Sequence, residues 1–304
     1  MVNLEAPEAC IVSGLYNTED AKEVVLEYIP LTRTTPEPLE PIQEKQEATP
    51  EIVATMIKNA KYPVVITGAG ISTESMLQTR KQLWEQLNRI EYVSIWKYFE
   101  ESRNLWNLVK KFLSEANYNP QPNRAHQVLA ELEKEGKIKA IITQNVDNLH
   151  QAAGSKNVIE MHGTLSQVKC SNCDIVFNKT CAEFVKGSKS EIPPPCTEFG
   201  KEQCISHIPG SLRPNVVLFG ELVPASIVKE ALEHIKKSDL VLVVGTASDA
   251  SPTCELPRLA KRNGAKVVEI KRNLSRISHI ADVTQTGEAG PFLQEVLNKF
   301  KQLN

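Results

Sequence analysis

Short apolar runs without alternating polar residues constrain the fold of this chain more than any other feature. The run at residues 240–245, Leu-Val-Leu-Val-Val-Gly, offers no side to water, which is typical of a strand covered on both faces. Segments with a helical apolar stripe, such as residues 124–134, separate these runs. Strands that alternate with helices predict an α/β, Rossmann-like fold with a doubly wound parallel sheet. The predicted strands are residues 63–67, 138–143, 158–161, 215–218, 240–245, 266–270 and 280–283.

Residues 1–48 are predicted to form an N-terminal tail or linker. Residues 32–50 contain four prolines and four glutamates but few bulky apolar side chains, a composition typical of flexible segments. Order is expected to begin at Thr49, because a threonine before Pro50 is a favourable start for a helix. The predicted domain is therefore residues 49–304, with further helices at 149–153, 226–236 and 290–301.

Two insertions interrupt the alternation of strands and helices and are predicted to form a smaller lobe. Residues 84–117 are helical in pattern and rich in aromatic side chains, which at this spacing usually belong to a core. Residues 165–212 contain five of the seven cysteines. Because no export signal is apparent, this clustering favours metal binding over disulfide bonds.

The cysteine insertion predicts one structural zinc ion. The Cys170-x2-Cys173 spacing suits tetrahedral thiolate ligation. Cys196 and Cys204 are further apart than is usual for the second pair of ligands, so Cys181 remains an alternative ligand. A site closed by four cysteines would stabilise the lobe and take no part in catalysis.

Glycines and polar residues follow four of the predicted strands. The carboxyl ends of parallel strands meet at one edge of a sheet, where ligands bind. Glycines allow the backbone to approach a pyrophosphate, and His162 has an ordinary pKa, about 6.5, that suits a general base. His126 and His150 are less favoured as bases because they fall in helical stretches. The residues are Gly68, Ala69, Gly70 and Ser72; Gln144, Asn145, Val146 and Asp147; His162; and Gly245, Thr246 and Ser248.

These motifs, in this order, resemble the sirtuin family of NAD-dependent protein deacylases from about residue 49 to the C-terminus. The resemblance implies a small lobe packed against a Rossmann lobe, with the active site in the cleft between them. It implies that Gln144 and Asn145 contact the nicotinamide ribose, that Asp147 recognises the nicotinamide carboxamide, and that His162 activates a ribose hydroxyl. Asp147 can also cap the helix that follows. Further implied contacts are Arg80, Val146 and Lys271 with NAD, and Val217, Phe219, Gly220 and Glu221 with an extended substrate peptide.

Three departures from the sirtuin pattern bear on function. The cofactor-covering loop at residues 75–82 is about three residues short and lacks the phenylalanine of the family. Arg80 matches the family arginine out of register, and in strict register that place falls to Lys81. Lys271 stands where the family usually has an asparagine that holds the adenosine ribose. No Tyr-x-x-Arg pair occurs at residues 108–112, so an uncharged acyl group such as acetyl is expected.

The leading hypothesis is therefore an NAD-dependent protein lysine deacetylase acting on an acyl-lysine protein. Two alternatives stay open: a protein ADP-ribosyltransferase, and a catalytically impaired sirtuin that binds NAD or acyl-lysine without efficient turnover. The net charge of −2 gives no support for a nucleic-acid partner, and no apolar run reaches membrane-spanning length. Without a signal or transit peptide pattern, the expected location is intracellular, cytoplasmic or nuclear.

Overall fold

A computed structural model describes residues 32–33, 46–75, 95, 105–107, 109–110, 120–178, 180–183, 196, 212–248, 250–273 and 275–303. In chain order the strands are β1 Thr32–Arg33, β2 Gln46–Glu47, β3 Pro63–Thr67, β4 Ala140–Thr143, β5 Val158–Glu160, β6 Gly163–Cys170, β7 Val176–Phe177, β8 Leu212–Val216, β9 Leu240–Val244, β10 Ala250–Ser251, β11 Lys266–Lys271 and β12 Val283–Thr286. The α-helices are α1 Pro50–Asn59, α2 Arg124–Lys134, α3 Leu149–Ala152, α4 Ala225–Lys237, α5 Leu256–Arg262 and α6 Ala289–Leu303. Short 3₁₀ helices cover Ala69–Ser75 and Thr253–Glu255.

The main sheet is parallel and has the strand order β2-β12-β11-β9-β3-β4-β5. Every residue of β3, β4 and β9 is buried, as their unbroken apolar sequences predict. From β3 the chain builds outward through β4 and β5, and later returns to place β9 on the other side of β3. The doubly wound parallel sheet is thus confirmed, and its strand order reverses between β3 and β9.

A separate hydrophobic core covers each face of the main sheet. On one face α1, α2 and α6 pack together, with Ile57, Leu129 and Phe300 fully buried. On the other face α4 and α5 pack against the sheet, with Ile235 and Ala260 fully buried. Two layers of helices around one sheet explain why its central strands carry no polar alternation.

The smaller lobe has its own antiparallel sheet, with the order β7-β6-β8. Its core joins Leu105, Trp106 and Val109 of the aromatic insertion to side chains of the cysteine insertion, and the Trp106 Nε1–H donates to the Leu212 carbonyl (2.8 Å). The expected packing of the two insertions against each other is therefore present. The strand predicted at 215–218 overlaps the end of β8 of this lobe at residues 215–216, and its partner is β6 and not a strand of the main sheet.

The ordered fold includes a few residues before Thr49. Strand β2 pairs with β12, Ala48 is buried, and the Ala48 N–H donates to the Thr284 carbonyl (2.8 Å). The expected start of order at Thr49 is therefore a few residues too late, although the Thr49 hydroxyl does accept the Ile52 N–H (3.3 Å) as a helix cap. Strand β1 pairs with β10. Among the helices in the described part of the chain, none is long and apolar enough to cross a membrane.

Candidate active site

Glycines from two neighbouring strands meet where the strand order reverses. The Gly70 N–H donates to the Gly245 carbonyl (2.6 Å), and a Cβ added to Gly70 would lie 2.5 Å from that oxygen. A Cβ added to Gly68 would lie 2.7 Å from Thr246 Cβ, and Gly245 has a φ of 64°. Only glycine fits these positions, so backbone lines the crevice in which doubly wound folds bind ligands.

Ser72, just beyond this turn, gathers the polar side chains that follow β4. Its hydroxyl donates to Asp147 Oδ2 (2.7 Å) and accepts from Asn145 Nδ2 (3.1 Å). Burial raises the pKa of the Asp147 carboxyl, while hydrogen bonds from Ser72 and from the Leu149 N–H oppose that shift. The Leu149 N–H lies 3.1 Å from Asp147 Oδ1, so Asp147 also caps α3 as the sequence indicated.

Two buried histidines, His126 and His150, lie close to Ser72 and to β3. His126 Nε2 is 3.4 Å from the Ser72 hydroxyl, and His126 Nδ1 is 3.0 Å from Asn123 Oδ1. His150 Nε2 is 2.9 Å from the Thr67 hydroxyl, and the two imidazole rings are 4.8 Å apart. Burial lowers the pKa of His126 to about 4 and that of His150 to about 3, so both rings are neutral at pH 7.

His162 lies between β5 of the main sheet and β6 of the smaller lobe. Burial lowers its pKa to about 4, against the effect of a hydrogen bond with the Gln144 backbone. Its Nε2 atom is buried and has no hydrogen-bond partner within the described residues. Gly163 follows with a φ of 74°, and a Cβ there would lie 2.2 Å from the Asn215 carbonyl oxygen. Glycine is therefore required for β8 to approach His162 closely.

Polar groups from β4, β9 and β11 share the carboxyl edge of the sheet. The Thr246 hydroxyl donates to Gln144 Oε1 (3.3 Å) and accepts the Ser248 N–H (3.0 Å). Lys271 Nζ lies 3.5 Å from the Thr246 carbonyl oxygen. Gln144 Nε2 and the Ser248 hydroxyl are buried without hydrogen-bond partners in the described part of the chain. The Val146 carbonyl accepts the Leu165 N–H (3.0 Å), which ties this edge to β6.

The segment 217–221, which we call the peptide segment, begins beside the backbone of His162. The Val217 N–H donates to the His162 carbonyl (2.9 Å), and the Phe219 carbonyl accepts the Ile95 N–H (2.9 Å). Gly220 is exposed and has a φ of 90°. The Glu221 carboxylate binds the Arg213 guanidinium and accepts the Leu218 N–H (2.8 Å). Sequence reasoning missed Arg213, which precedes the predicted strand and has no motif around it.

Three of the four predicted zinc ligands lie together. The Sγ atoms of Cys170, Cys173 and Cys196 are all within 4.8 Å of one another. The Cys173 and Cys196 sulfurs are 3.9 Å apart, too far for a disulfide bond. Cys181 lies elsewhere, with its thiol 3.5 Å from the Gln167 carbonyl oxygen, so it is not favoured as the alternative ligand. Cys204, like Arg80 of the cofactor-covering loop, lies outside the described residues.

Comparison with known proteins identifies the family to which this fold and site belong. The sequence model of the Sir2 family matches residues 68–252, from the glycine turn at Gly68 to Pro252. This chain belongs to the Sir2 family. The NAD-dependent protein deacylase of Thermococcus sibiricus is 38% identical to this sirtuin over 263 residues, covering 84% of this chain and 96% of that protein. NAD-dependent protein deacylase 1 of Archaeoglobus fulgidus is 34% identical, covering 81% and 96%.

Solved Sir2 structures share the fold of this sirtuin. A crystal structure of a Sir2 homologue in complex with NAD superposes with a TM-score of 0.74 at 30% identity, covering 86% of this chain and 98% of that one. A Sir2 structure bound to a myristoylated histone peptide superposes with a TM-score of 0.67 at 34% identity, covering 84% and 97%. The two-lobed arrangement expected from the sequence therefore matches known sirtuins over nearly their full lengths.

Proposed function

We propose that this sirtuin is an NAD-dependent protein lysine deacetylase, which transfers the acyl group of an acyl-lysine to ADP-ribose with release of nicotinamide. The proposal is carried by the environment of His162. Its ring is neutral, and its Nε2 atom is buried without a hydrogen-bond partner in the described residues. The match to the Sir2 family and to relatives named NAD-dependent deacylases or deacetylases supports the same reaction.

The carboxyl edge of the sheet suits NAD in shape and in hydrogen-bonding groups. Glycines at the ends of β3 and β9 leave the backbone without side chains there, so a pyrophosphate would be able to approach its N–H groups closely. The buried Gln144 amide and Ser248 hydroxyl supply a donor and a hydroxyl for phosphate or ribose oxygens. The Asp147 carboxylate can accept from the carboxamide N–H of nicotinamide. NAD, when bound, supplies a ribose carbon that accepts the acyl oxygen as nicotinamide leaves.

His162 acts as the general base in this proposal. Its hydrogen bond to the Gln144 backbone leaves the Nε2 lone pair available, because a neutral imidazole has one donor and one acceptor nitrogen. A pKa of about 4 keeps that lone pair free across the neutral range. Nε2 takes the proton of a ribose hydroxyl as the hydroxyl oxygen attacks the acyl carbon. Asn145 and Asp147, both bound to the rigid Ser72, hold the nicotinamide end of NAD in register.

The peptide segment is proposed to bind the substrate backbone as an added strand. One solved Sir2 relative binds a myristoylated histone peptide, which supports recognition of an acylated protein segment. An uncharged acyl group is proposed for this chain, because the sequence lacks the Tyr-x-x-Arg pair that would hold an acidic one.

One zinc ion is proposed to stabilise the smaller lobe. Cys170, Cys173 and Cys196 would hold it as thiolates, and Cys204 is the proposed fourth ligand. Thiolate zinc sites persist where cysteines remain reduced, which supports an intracellular location, cytoplasmic or nuclear. Residues 1–48 are proposed to be a tail or linker attached to the catalytic domain of residues 49–304, with β2 near its end paired to the main sheet.

The alternatives considered from the sequence receive less support. Relatives at 34–38% identity are named deacylases or deacetylases, which disfavours protein ADP-ribosyl transfer as the main reaction. A binding module without turnover would not need His162 Nε2 to be buried without a hydrogen-bond partner among the described residues.

The test is nicotinamide release from NAD in the presence of an acetyl-lysine peptide. Wild-type protein loaded with zinc should release nicotinamide only when the peptide is present. His162→Ala should lower kcat by at least about 100-fold, the lower range for loss of a general base. His279→Ala, which removes an exposed histidine in the turn between β11 and β12, is the matched control and should keep wild-type rates. Peptide-dependent release that His162→Ala leaves intact would refute the proposed role of His162.

A further inference from the structure

The Arg213–Glu221 ion pair joins the two ends of the peptide segment. Arg213 Nη1 donates to the Val216 carbonyl (3.1 Å), just before the segment, while Nη2 binds Glu221 at its end. The second Glu221 carboxylate oxygen accepts the Leu218 N–H (2.8 Å), and the Glu221 N–H donates to the Leu218 carbonyl (2.9 Å). Two charged side chains therefore hold backbone groups on both sides of Val217.

Both side chains of this ion pair are largely buried in the smaller lobe. The Arg213 side chain is 3% exposed and that of Glu221 is 18% exposed, and the neighbouring Leu212 and Leu218 belong to the lobe core. Buried charged hydrogen bonds are shorter and stronger than neutral ones, and the planar guanidinium keeps its donors in a fixed fork. A backbone held in this way has little freedom to change shape.

A second cation lies next to Arg213, which increases the electrostatic cost of removing the Glu221 carboxylate. Lys169 of β6 stands opposite Arg213 of β8 in the antiparallel sheet. Loss of Glu221 would leave two neighbouring cations with one carboxylate fewer between them.

We infer that Arg213 and Glu221 are positioning residues for the substrate peptide. They hold the backbone of the peptide segment, including the turn that closes it, in one conformation, while the Val217 N–H to His162 carbonyl bond fixes its distance from the proposed base. Strand addition depends on backbone groups aligned in advance, because an unaligned edge must be ordered at the moment of binding. The inference rests on the proposed function for the identity of the peptide, an acyl-lysine segment in extended form.

The chain offers a matched control for Glu221. Asp282 is also 18% exposed, pairs with Lys261 and Lys266, and accepts the backbone N–H of Val267 at 2.8 Å. It lies beside β11 on the main sheet, away from the peptide segment. Glu221→Gln and Asp282→Asn therefore remove similar charges with similar partners, and only the first removes one from the peptide segment.

The experiment compares wild type, Glu221→Gln, Arg213→Lys and Asp282→Asn in steady-state assays with an acetyl-lysine peptide. Each of the first two variants should raise the peptide KM by about tenfold, the effect of losing roughly one charged hydrogen bond. The KM for NAD should change less than about twofold, because the glycine crevice is untouched. Asp282→Asn should leave the peptide KM at the wild-type value, and thermal unfolding of all four proteins reports any general loss of stability.

Direct binding separates this inference from the proposed function. The dissociation constant of a fluorescent acetyl-lysine peptide, measured by anisotropy with NAD-free protein, should rise by about tenfold in Glu221→Gln and Arg213→Lys. If wild-type protein binds peptide but releases no nicotinamide, the proposed reaction fails while this comparison still tests the positioning role. An unchanged peptide affinity in both variants, equal losses of peptide and NAD affinity, or wild-type protein that binds no peptide would overturn the inference.

Discussion

Acid should destabilise this protein through the buried imidazole of His126. Burial lowers the pKa of His126 from 6.5 to about 4, so the folded chain resists protonation where the unfolded chain accepts it. The contribution of the neutral ring to the free energy of unfolding is fully present above pH 6.5. It is lost as the pH falls from 6.5 towards 4, because the unfolded state then binds more protons than the folded state.

The magnitude follows from the two pKa values. With 6.5 for the unfolded chain and about 4 for the folded chain, the linkage relation gives a loss of roughly 2 kcal/mol between pH 7 and pH 5. His126→Gln keeps a polar side chain beside Ser72 but removes the titrating group. The variant should therefore lose roughly 2 kcal/mol less than the wild type over the same pH interval.

Urea unfolding at pH 7 and pH 5 measures this difference. Titrating groups far from His126 occur in both proteins, so their effects cancel when the two pH differences are subtracted. His279→Gln makes the same replacement at an exposed position and serves as the control for the substitution itself. A His126→Gln protein that loses as much stability between pH 7 and pH 5 as the wild type would refute the assignment of this loss to His126.

Three further changes test the cofactor site and the smaller lobe. Gly70→Ala should weaken NAD binding by more than about tenfold in calorimetry, because the new Cβ would meet the Gly245 carbonyl at 2.5 Å, and an unchanged affinity would show that NAD does not use this crevice. Chelation should release one zinc per chain, measured by atomic emission, and should lower the midpoint of thermal unfolding. A Cys196→Ser protein that retains its full zinc content would contradict the assignment of Cys196 as a ligand. Lys271→Asn restores the amide typical of sirtuins and should strengthen NAD binding by about fivefold in calorimetry, and equal or weaker binding would show that the lysine serves NAD at least as well.

The α/β class and most elements of the main sheet could be predicted from the sequence. Unbroken apolar strands such as Leu240–Val244 and amphipathic helices such as Arg124–Lys134 carry local patterns that survive in the fold. Boundaries shifted by a few residues, and α5 was not predicted, because its short segment after Pro252 has weak periodicity. Two-residue strands such as β2 have too few residues for a pattern, and only the pairing partner β12 makes them strands.

The candidate site was recognisable where residue types follow strands in a family order, as with Asn145, Asp147 and His162. The hydrogen bonds that connect them were not, since Ser72 lies more than 70 residues before Asp147 in the chain and meets it only through the sheet. The role of Arg213 could not be predicted from the sequence, because an arginine next to a proline is not specific to any structure or function. Its partner Glu221 was predicted to contact the substrate peptide, not to form an ion pair.

The sequence by itself determined which segments must be buried and which chemical groups stand at strand ends, because hydrophobic periodicity and residue type are local properties. Only the tertiary structure decided which distant groups share an environment. Burial lowers the pKa of His162 to about 4, and the antiparallel pairing of β6 with β8 brings the start of the peptide segment beside its backbone. Burial and strand pairing depend on residues far apart in the chain, and such contacts exist only once the two lobes have packed.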